Sequence, residues 1–141
     1  MEDIAARRAA EALLAEHQAN TRFRTLGPPD GPASISDAYD IQDRYVALLR
    51  GKHGDAVGYK VGLTSVAMQT FCGIDHPLAG VVLASRAHRS GASVRRADFG
   101  RLGLEFEVAV RFKSDVPVIS KLASRRSRWR GQFRYLACRA A

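Results

Sequence analysis

Apolar residues recur at helical spacing in two stretches near the start of the chain. Residues 3–19 and 36–50 each carry an apolar stripe with charges opposite, and the second stripe stops at Gly51. The stripes consist of Ile4, Ala5, Ala9, Leu13 and Leu14, and of Ala38, Ile41, Tyr45, Leu48 and Leu49. Glycines and prolines fill residues 26–33 and predict a loop there. Oxygens able to cap the second helix are offered by Ser34, Ser36 and Asp37. The pattern therefore predicts two amphipathic helices joined by a loop.

The period changes to two at residues 57–64, which predicts a strand. One face would carry Val57, Tyr59, Val61 and Leu63, and the other Gly58, Lys60, Gly62 and Thr64. A single lysine on a strand is usually a solvated charge. Here its glycine neighbours leave Lys60 on a nearly bare backbone surface, so we interpret it as a candidate binding residue.

Shorter elements follow the Lys60 strand. Ser65 can cap a short helix that carries Met68 and Phe71, and Gly73 can end it. Asp75 then falls in a turn before a proline, where an aspartate often bonds its own backbone. Residues 80–84 and 92–95 are typical of short strands. Helices followed by short strands predict an α+β fold.

Residues 104–112 are predicted to form the longest strand. Its apolar face would hold Leu104, Phe106, Val108, Val110 and Phe112. Glu105 and Glu107 would lie together on the opposite face, about 7 Å apart along the strand. Taken alone they are most simply the solvated face of a half-buried strand, although paired carboxylates are also the raw material of a metal site.

Length and composition favour a single soluble domain. The chain has 141 residues, of which 46% are hydrophobic and 26% charged. Residues 1–20 lack a signal-peptide pattern, and no apolar run approaches the length of a membrane span. Cys72 and Cys138 are in no CxxC pair. These features predict a cytoplasmic protein without a membrane partner or a disulfide framework.

The net charge of +8 belongs almost entirely to the end of the chain. Residues 118–141 hold seven of the 22 basic residues and none of the 14 acidic ones, so the rest is nearly neutral. This tail has no apolar face at either period. It can be interpreted as a nucleic-acid-binding segment, as a disordered solvated tail, or as out-of-frame translation. We favour the last interpretation and do not expect nucleic acid as a partner.

Several motifs in order resemble the 2-keto-4-pentenoate hydratase and 4-oxalocrotonate decarboxylase family, within the fumarylacetoacetate hydrolase-like superfamily. They are residues 36–42, 58–65, 67–69, 73–77, 90–91, 105–107 and 114–117. The resemblance implies helices followed by part of a mixed β-roll. It ends at about Pro117, and members of the family are roughly twice as long. We therefore hypothesise a truncated or frameshifted member whose residues 118–141 are not family sequence.

The resemblance also implies a chemistry. It predicts Mg²⁺ or Mn²⁺ bound by Glu105 and Glu107, both of which match paired metal-ligand positions. Lys60 and Ser65 match substrate-binding positions. Lys60 can also deliver a proton, and Asp75 matches a position suited to a general base. The implied activity is hydration of a small 2-hydroxy-2,4-dienoate, such as 2-hydroxypenta-2,4-dienoate, in the catabolism of aromatic compounds.

Other functions remain open from the sequence. One is decarboxylation of a 2-oxo-enedioate within the same family. Another is a non-catalytic fragment that pairs with a full-length homologue through an exposed sheet edge. The expected partners are a small 2-oxo or 2-hydroxy acid and a second copy of the chain or a homologue.

Overall fold

Two helices form where the sequence predicts them. The computed structural model describes residues 2–99 and 102–114 in full, and the backbone of 134–136. Helix α1 spans Asp3–Gln18 and helix α2 spans Ile35–His53. Small side chains on α1 let the two helices approach closely, and Ala6, Ala9 and Ile41 form the buried core between them. Three predicted stripe positions lie outside this core, since Ile4, Ala38 and Leu48 are exposed.

Helix α2 is capped at both ends by residues suited to the task. The Ser34 hydroxyl accepts a hydrogen bond from the Asp37 amide, and the Asp37 carboxylate accepts one from the Ala33 amide at 3.1 Å. The predicted stop at Gly51 is wrong, because the helix continues to His53 and ends at Gly54. Gly54 has a positive φ of 78°, which glycine adopts at little cost.

An antiparallel pair of strands follows, with a short helix between them. Strand β1 spans Ala56–Gly62, helix α3 spans Val66–Cys72 and strand β2 spans Leu78–Leu83. Helix α3 is capped as expected, by the Ser65 hydroxyl at its start and by Gly73 in the left-handed conformation at its end. Ala84–Arg86 form a turn of 3₁₀-helix directly after β2.

The edge of β2 is covered by side chains of α2. The backbone amide of Ala79 donates a hydrogen bond to the Tyr39 hydroxyl, and the side-chain amide of Gln42 donates one to the Ala79 carbonyl. Both bonds measure 3.0 Å. These two bonds replace the partner strand that an edge residue lacks, and they attach the strand pair to the helices.

Two predicted strands are wrong. Residues 92–95 are irregular between a turn at Gly91 and a 3₁₀ turn at Arg96–Asp98. Of the predicted strand 104–112, only Ala109–Arg111 form a strand, β3. A strand forms only where its backbone groups pair with a neighbouring strand. Within residues 104–112, only Ala109–Arg111 do so, and their partner is β4 at Arg134–Leu136.

The chain divides into two units. Unit 1 comprises Met1–His88 and Val94–Leu102 and contains the helices with β1 and β2. Unit 2 comprises Arg89–Ser93 and Gly103–Ala141 and contains β3 and β4. Within the stretch 118–141, for which the sequence predicts disorder, Arg134–Leu136 form β4, and the rest lies outside the described residues. The described residues contain helices and antiparallel strand pairs, and the α+β class with part of a mixed β-roll stays a prediction. Among the described helices, none has the length and hydropathy needed to cross a membrane.

Candidate functional site

Lys60 lies on a surface formed by three glycines. Paired residues of an antiparallel ladder share a face, and Lys60 pairs with Gly80. Its neighbours on the same face of β1 are Gly58 and Gly62. The sequence predicts the two glycines of β1, and the register adds the third from β2. The Lys60 side chain is exposed, so it stands on open backbone.

The three glycines have no structural explanation within unit 1. None of them has a positive φ, so the backbone does not require glycine at these positions. A Cβ added at Gly58, Gly62 or Gly80 would meet no heavy atom within 4 Å in the described part of the chain. Glycine in a strand interior costs stability, roughly 0.5–1 kcal/mol relative to alanine. The arrangement instead leaves room beside an ammonium for a flat, anionic ligand. We call Lys60 with Gly58, Gly62 and Gly80 the glycine surface.

The chain leaves the glycine surface through a constrained turn. Leu63 has φ of 54°, a conformation that is costly for a residue with a Cβ. The Gln69 side chain on α3 donates to the Leu63 carbonyl at 2.7 Å and holds this turn. The hydroxyl of Ser65 accepts from the Met68 amide at 3.3 Å. Ser65 is therefore a helix cap in this structure, and its role in substrate binding stays a prediction.

Asp75 and His76 lie between α3 and β2, at the end of the strand pair where Gly62 pairs with Leu78. Asp75 Oδ1 is 2.9 Å from His76 Nδ1, and this hydrogen bond lowers the pKa of the fully exposed Asp75 carboxyl. An ionised carboxylate holds the proton on Nδ1 of the imidazole, which leaves Nε2 as the basic nitrogen. The lowered pKa makes Asp75 a weaker base than a carboxyl group without this hydrogen bond.

A groove of about 490 Å³ adjoins this histidine. His76 lines it together with Tyr39 and Gln42 of α2 and Leu78 of β2. The Nε2 atom of His76 is buried and has no hydrogen-bond partner among the described residues. A buried, unsatisfied imidazole nitrogen beside a groove is a site for a water or a substrate hydroxyl.

Glu105 and Glu107 belong to unit 2 and are exposed. They lie outside a ladder, so the shared strand face predicted for them is not formed. Their carboxylate oxygens are the donors that Mg²⁺ and Mn²⁺ prefer. In the part of the chain that the structure describes, no group of three His, Cys, Asp or Glu could hold a metal ion. Two carboxylates are thus an incomplete donor set, and a metal would need oxygen ligands from other residues.

Three features of unit 1 were not assigned to a site from the sequence. His76 has only its adjacency to Asp75 as a signal, and Gly80 can be assigned to the glycine surface only from the strand register. His17 and Tyr45, which are distant in sequence, meet at 2.5 Å between Nδ1 and Oη. No pattern in the sequence signals this last contact.

Comparison with known proteins finds two relatives. The chain is similar to part of two bacterial hydratases. It is 34% identical over 110 residues to the 2-keto-4-pentenoate hydratase of Burkholderia vietnamiensis, which covers 74% of this chain and 40% of that protein. It is 30% identical over 107 residues to the TodF product hydratase of Pseudomonas putida, covering 74% of this chain and 39% of that protein.

The chain thus spans about 40% of the length of these relatives. No protein-family model matches the chain. No solved structure matches it.

Proposed function

We propose that this chain forms part of a hydratase that adds water to a small 2-hydroxy-2,4-dienoate, such as 2-hydroxypenta-2,4-dienoate, in the catabolism of aromatic compounds. The similarity to two proteins named as hydratases supports the reaction class. The observation that carries the proposal is the glycine surface around Lys60. A conjugated dienoate is flat and anionic, and this surface places a lysine beside three glycines whose lack of side chains leaves space for it.

Three residues of unit 1 have proposed roles. The Lys60 ammonium binds the substrate carboxylate, a charge-assisted interaction stronger than a neutral hydrogen bond. His76, oriented by Asp75, accepts a proton from the attacking water through Nε2. In this proposal Asp75 positions His76, and the role of general base that the sequence implies for Asp75 stays a prediction.

The proposal includes Mg²⁺ or Mn²⁺, with Glu105 and Glu107 as two of its ligands. An ion bound there would supply positive charge, which stabilises negative charge on an oxygen atom. Binding of Mn²⁺, followed by its electron paramagnetic resonance signal, tests this ligand assignment without an activity assay. Glu105→Gln should weaken binding, whereas Glu11→Gln on the exposed face of α1 should not. Equal Mn²⁺ affinity in both variants would contradict the assignment.

Loss of the dienol absorbance, measured with the purified full chain with and without Mg²⁺ or Mn²⁺, tests the proposed reaction. The proposal predicts turnover that Lys60→Gln reduces by about tenfold or more, the value of one charged hydrogen bond. Lys52→Gln is the matched control, because Lys52 lies in the last turn of α2. Because two carboxylates are an incomplete donor set, we expect turnover only when a complementing fragment of a full-length homologue is added to the chain. Under that condition, absence of turnover with the wild-type chain, or equal turnover in both variants, would overturn the proposal.

A second candidate function is pairing with a full-length homologue. The face of β1 opposite Lys60 is apolar and open, with Tyr59 77% exposed and Val57 and Val61 more than half exposed. Uncovered apolar surface of this kind marks an interaction site. Co-purification of the chain with a full-length homologue should be lost in Tyr59→Ser. Retention of the pair in this variant would exclude the face as the interface.

A further inference from the structure

A second polar cluster in unit 1 joins three elements that are distant in sequence. His17 is in the last turn of α1, Tyr45 is on α2, and Arg86 is in the 3₁₀ turn after β2. His17 Nδ1 lies 2.5 Å from the Tyr45 hydroxyl, and His17 Nε2 lies 3.2 Å from an Arg86 nitrogen. A guanidinium only donates, so Nε2 must accept. His17 is therefore neutral and protonated on Nδ1, from which it donates to Tyr45.

A cavity of about 520 Å³ opens beside this cluster. It is lined by His17, Asn20, Thr21, Arg22, Phe23, Arg86, Asp98 and Phe99. Its walls are tied together by hydrogen bonds. The Glu16 carboxylate accepts from both the backbone and the side chain of Arg24, and Asn20 donates to the Ala97 carbonyl at 3.3 Å. The Asn20 bond thus joins the end of α1 to the segment that carries Asp98 and Phe99.

The charges on the cavity wall favour an anion. Arg22 and Arg86 both line it. The one carboxylate among the lining residues, Asp98, is already held by two hydrogen bonds from Arg95, at 2.9 and 3.3 Å. In the described part of the chain, Arg86 has no carboxylate partner. It donates a hydrogen bond to the neutral His17. A guanidinium with donors to spare matches the geometry of a carboxylate.

Aromatic rings make the rest of the wall suitable for a flat ligand. Phe23 packs edge-on against Tyr45 and tilted against His17, with ring centroids 6.4 Å apart in both pairs. It is nevertheless 50% exposed, and it lines the cavity together with Phe99. An open aromatic face next to an arginine can stack on a second ring whose acidic group the arginine binds.

We infer that this cavity binds a small aromatic carboxylate, with the carboxylate on Arg86 and the ring against Phe23. The site is separate from the glycine surface and does not depend on the proposed hydratase reaction. Arg86 favours a ligand with a carboxylate, and the aromatic wall favours a ligand with a ring. Asp98 does not neutralise Arg86, because its carboxylate is already bonded to Arg95.

The pKa of His17 should change when a ligand binds in this cavity. Burial is the main cause that lowers the pKa of His17, and the positive charges of Arg86 and Lys52 lower it further. A bound carboxylate would offset those charges and raise the pKa of His17. The other ionisable groups around His17 and the cavity are Arg22, Tyr45, His53 and Asp98.

Titration of the full chain with benzoate, followed by calorimetry and by the NMR signals of His17, tests the inference. Benzoate should bind and raise the pKa of His17, whereas benzamide, which has the same ring without the charge, should bind much more weakly. Arg86→Gln should weaken benzoate binding about tenfold or more. Arg50→Gln should leave it unchanged, because Arg50 is paired with Asp55 elsewhere.

Four outcomes would overturn the inference. They are absence of benzoate binding at millimolar concentrations, equal affinity for benzamide, unchanged affinity in Arg86→Gln, and tighter binding of inorganic phosphate than of benzoate. Circular dichroism of Arg86→Gln shows whether a loss of binding reflects loss of the fold. Should that variant unfold, Phe23→Leu, which keeps every charge, must weaken benzoate binding for the inference to stand.

Discussion

Replacing Gly80 with alanine tests the glycine surface with the smallest possible change. Gly80 pairs with Lys60 across the ladder, and a Cβ there meets no heavy atom within 4 Å among the described residues. The new methyl group should therefore fit without strain. Alanine in a strand interior is more stable than glycine by roughly 0.5–1 kcal/mol, so the variant should unfold at slightly higher denaturant concentration.

The same methyl group should interfere with a ligand. Side chains of directly paired residues have Cβ atoms about 4.5–5.5 Å apart, which places the methyl group where a flat molecule would lie beside Lys60. Losing a hydrogen bond to a charged group costs about 1.5–3 kcal/mol. The dissociation constant of a 2-oxo acid should therefore rise roughly ten- to a hundredfold in Gly80→Ala.

The assay compares two matched glycine substitutions. Gly51→Ala lies in the last turn of α2, where an added Cβ also meets nothing within 4 Å among the described residues. Both variants should be more stable than the wild type to urea, and only Gly80→Ala should lose affinity for 2-oxopentanoate in calorimetry. Wild-type affinity in Gly80→Ala would refute the reasoning that the glycines keep space for a ligand.

Three further predictions concern stability. Ser34→Ala should lower the free energy of unfolding by about 0.5–2 kcal/mol because the α2 cap is lost. Ser36→Ala, inside that helix, should change little in the same urea titration, and equal losses would contradict the cap assignment. Tyr39→Phe should cost about 0.5–1.5 kcal/mol because a strand-edge amide loses its acceptor, whereas Tyr59→Phe on an exposed side chain should be neutral. The pKa of His17 is lowered in the folded state, so the unfolded chain binds a proton more readily. The contribution of His17 to stability should therefore be complete above the unfolded pKa of about 6.5 and decline as pH falls through the folded pKa. As pH is lowered through this window, the urea midpoint of His17→Gln should fall less steeply than that of the wild type. An equally steep fall would contradict the predicted direction.

Local signals predicted the helices and caps well. The caps of α3 at Ser65 and Gly73 were readable because each depends on one side chain or one backbone conformation. The end of α2 was missed because two nearby glycines, Gly51 and Gly54, could each end the helix, and only the folded backbone selects between them. Local chemistry thus limits the choices without always selecting one.

Features that depend on strand pairing or on contacts between distant residues could not be predicted from the sequence. The alternation in residues 104–112 is typical of a strand, yet a ladder forms only at Ala109–Arg111, where a partner is present. The place of Gly80 beside Lys60 follows from the register of β1 and β2, which no local pattern contains. The contact of His17 with Arg86 joins residues far apart in sequence and likewise required the structure.

The central claim is that Lys60 and its glycines bind the acid group of the substrate. Backbone amide chemical shifts of the full chain, recorded during titration with 2-oxopentanoate, test it most directly. We predict that the largest shifts fall on Gly58, Lys60, Gly62 and Gly80 and disappear in Lys60→Gln. Shifts confined to other residues, or unchanged in that variant, would contradict the claim.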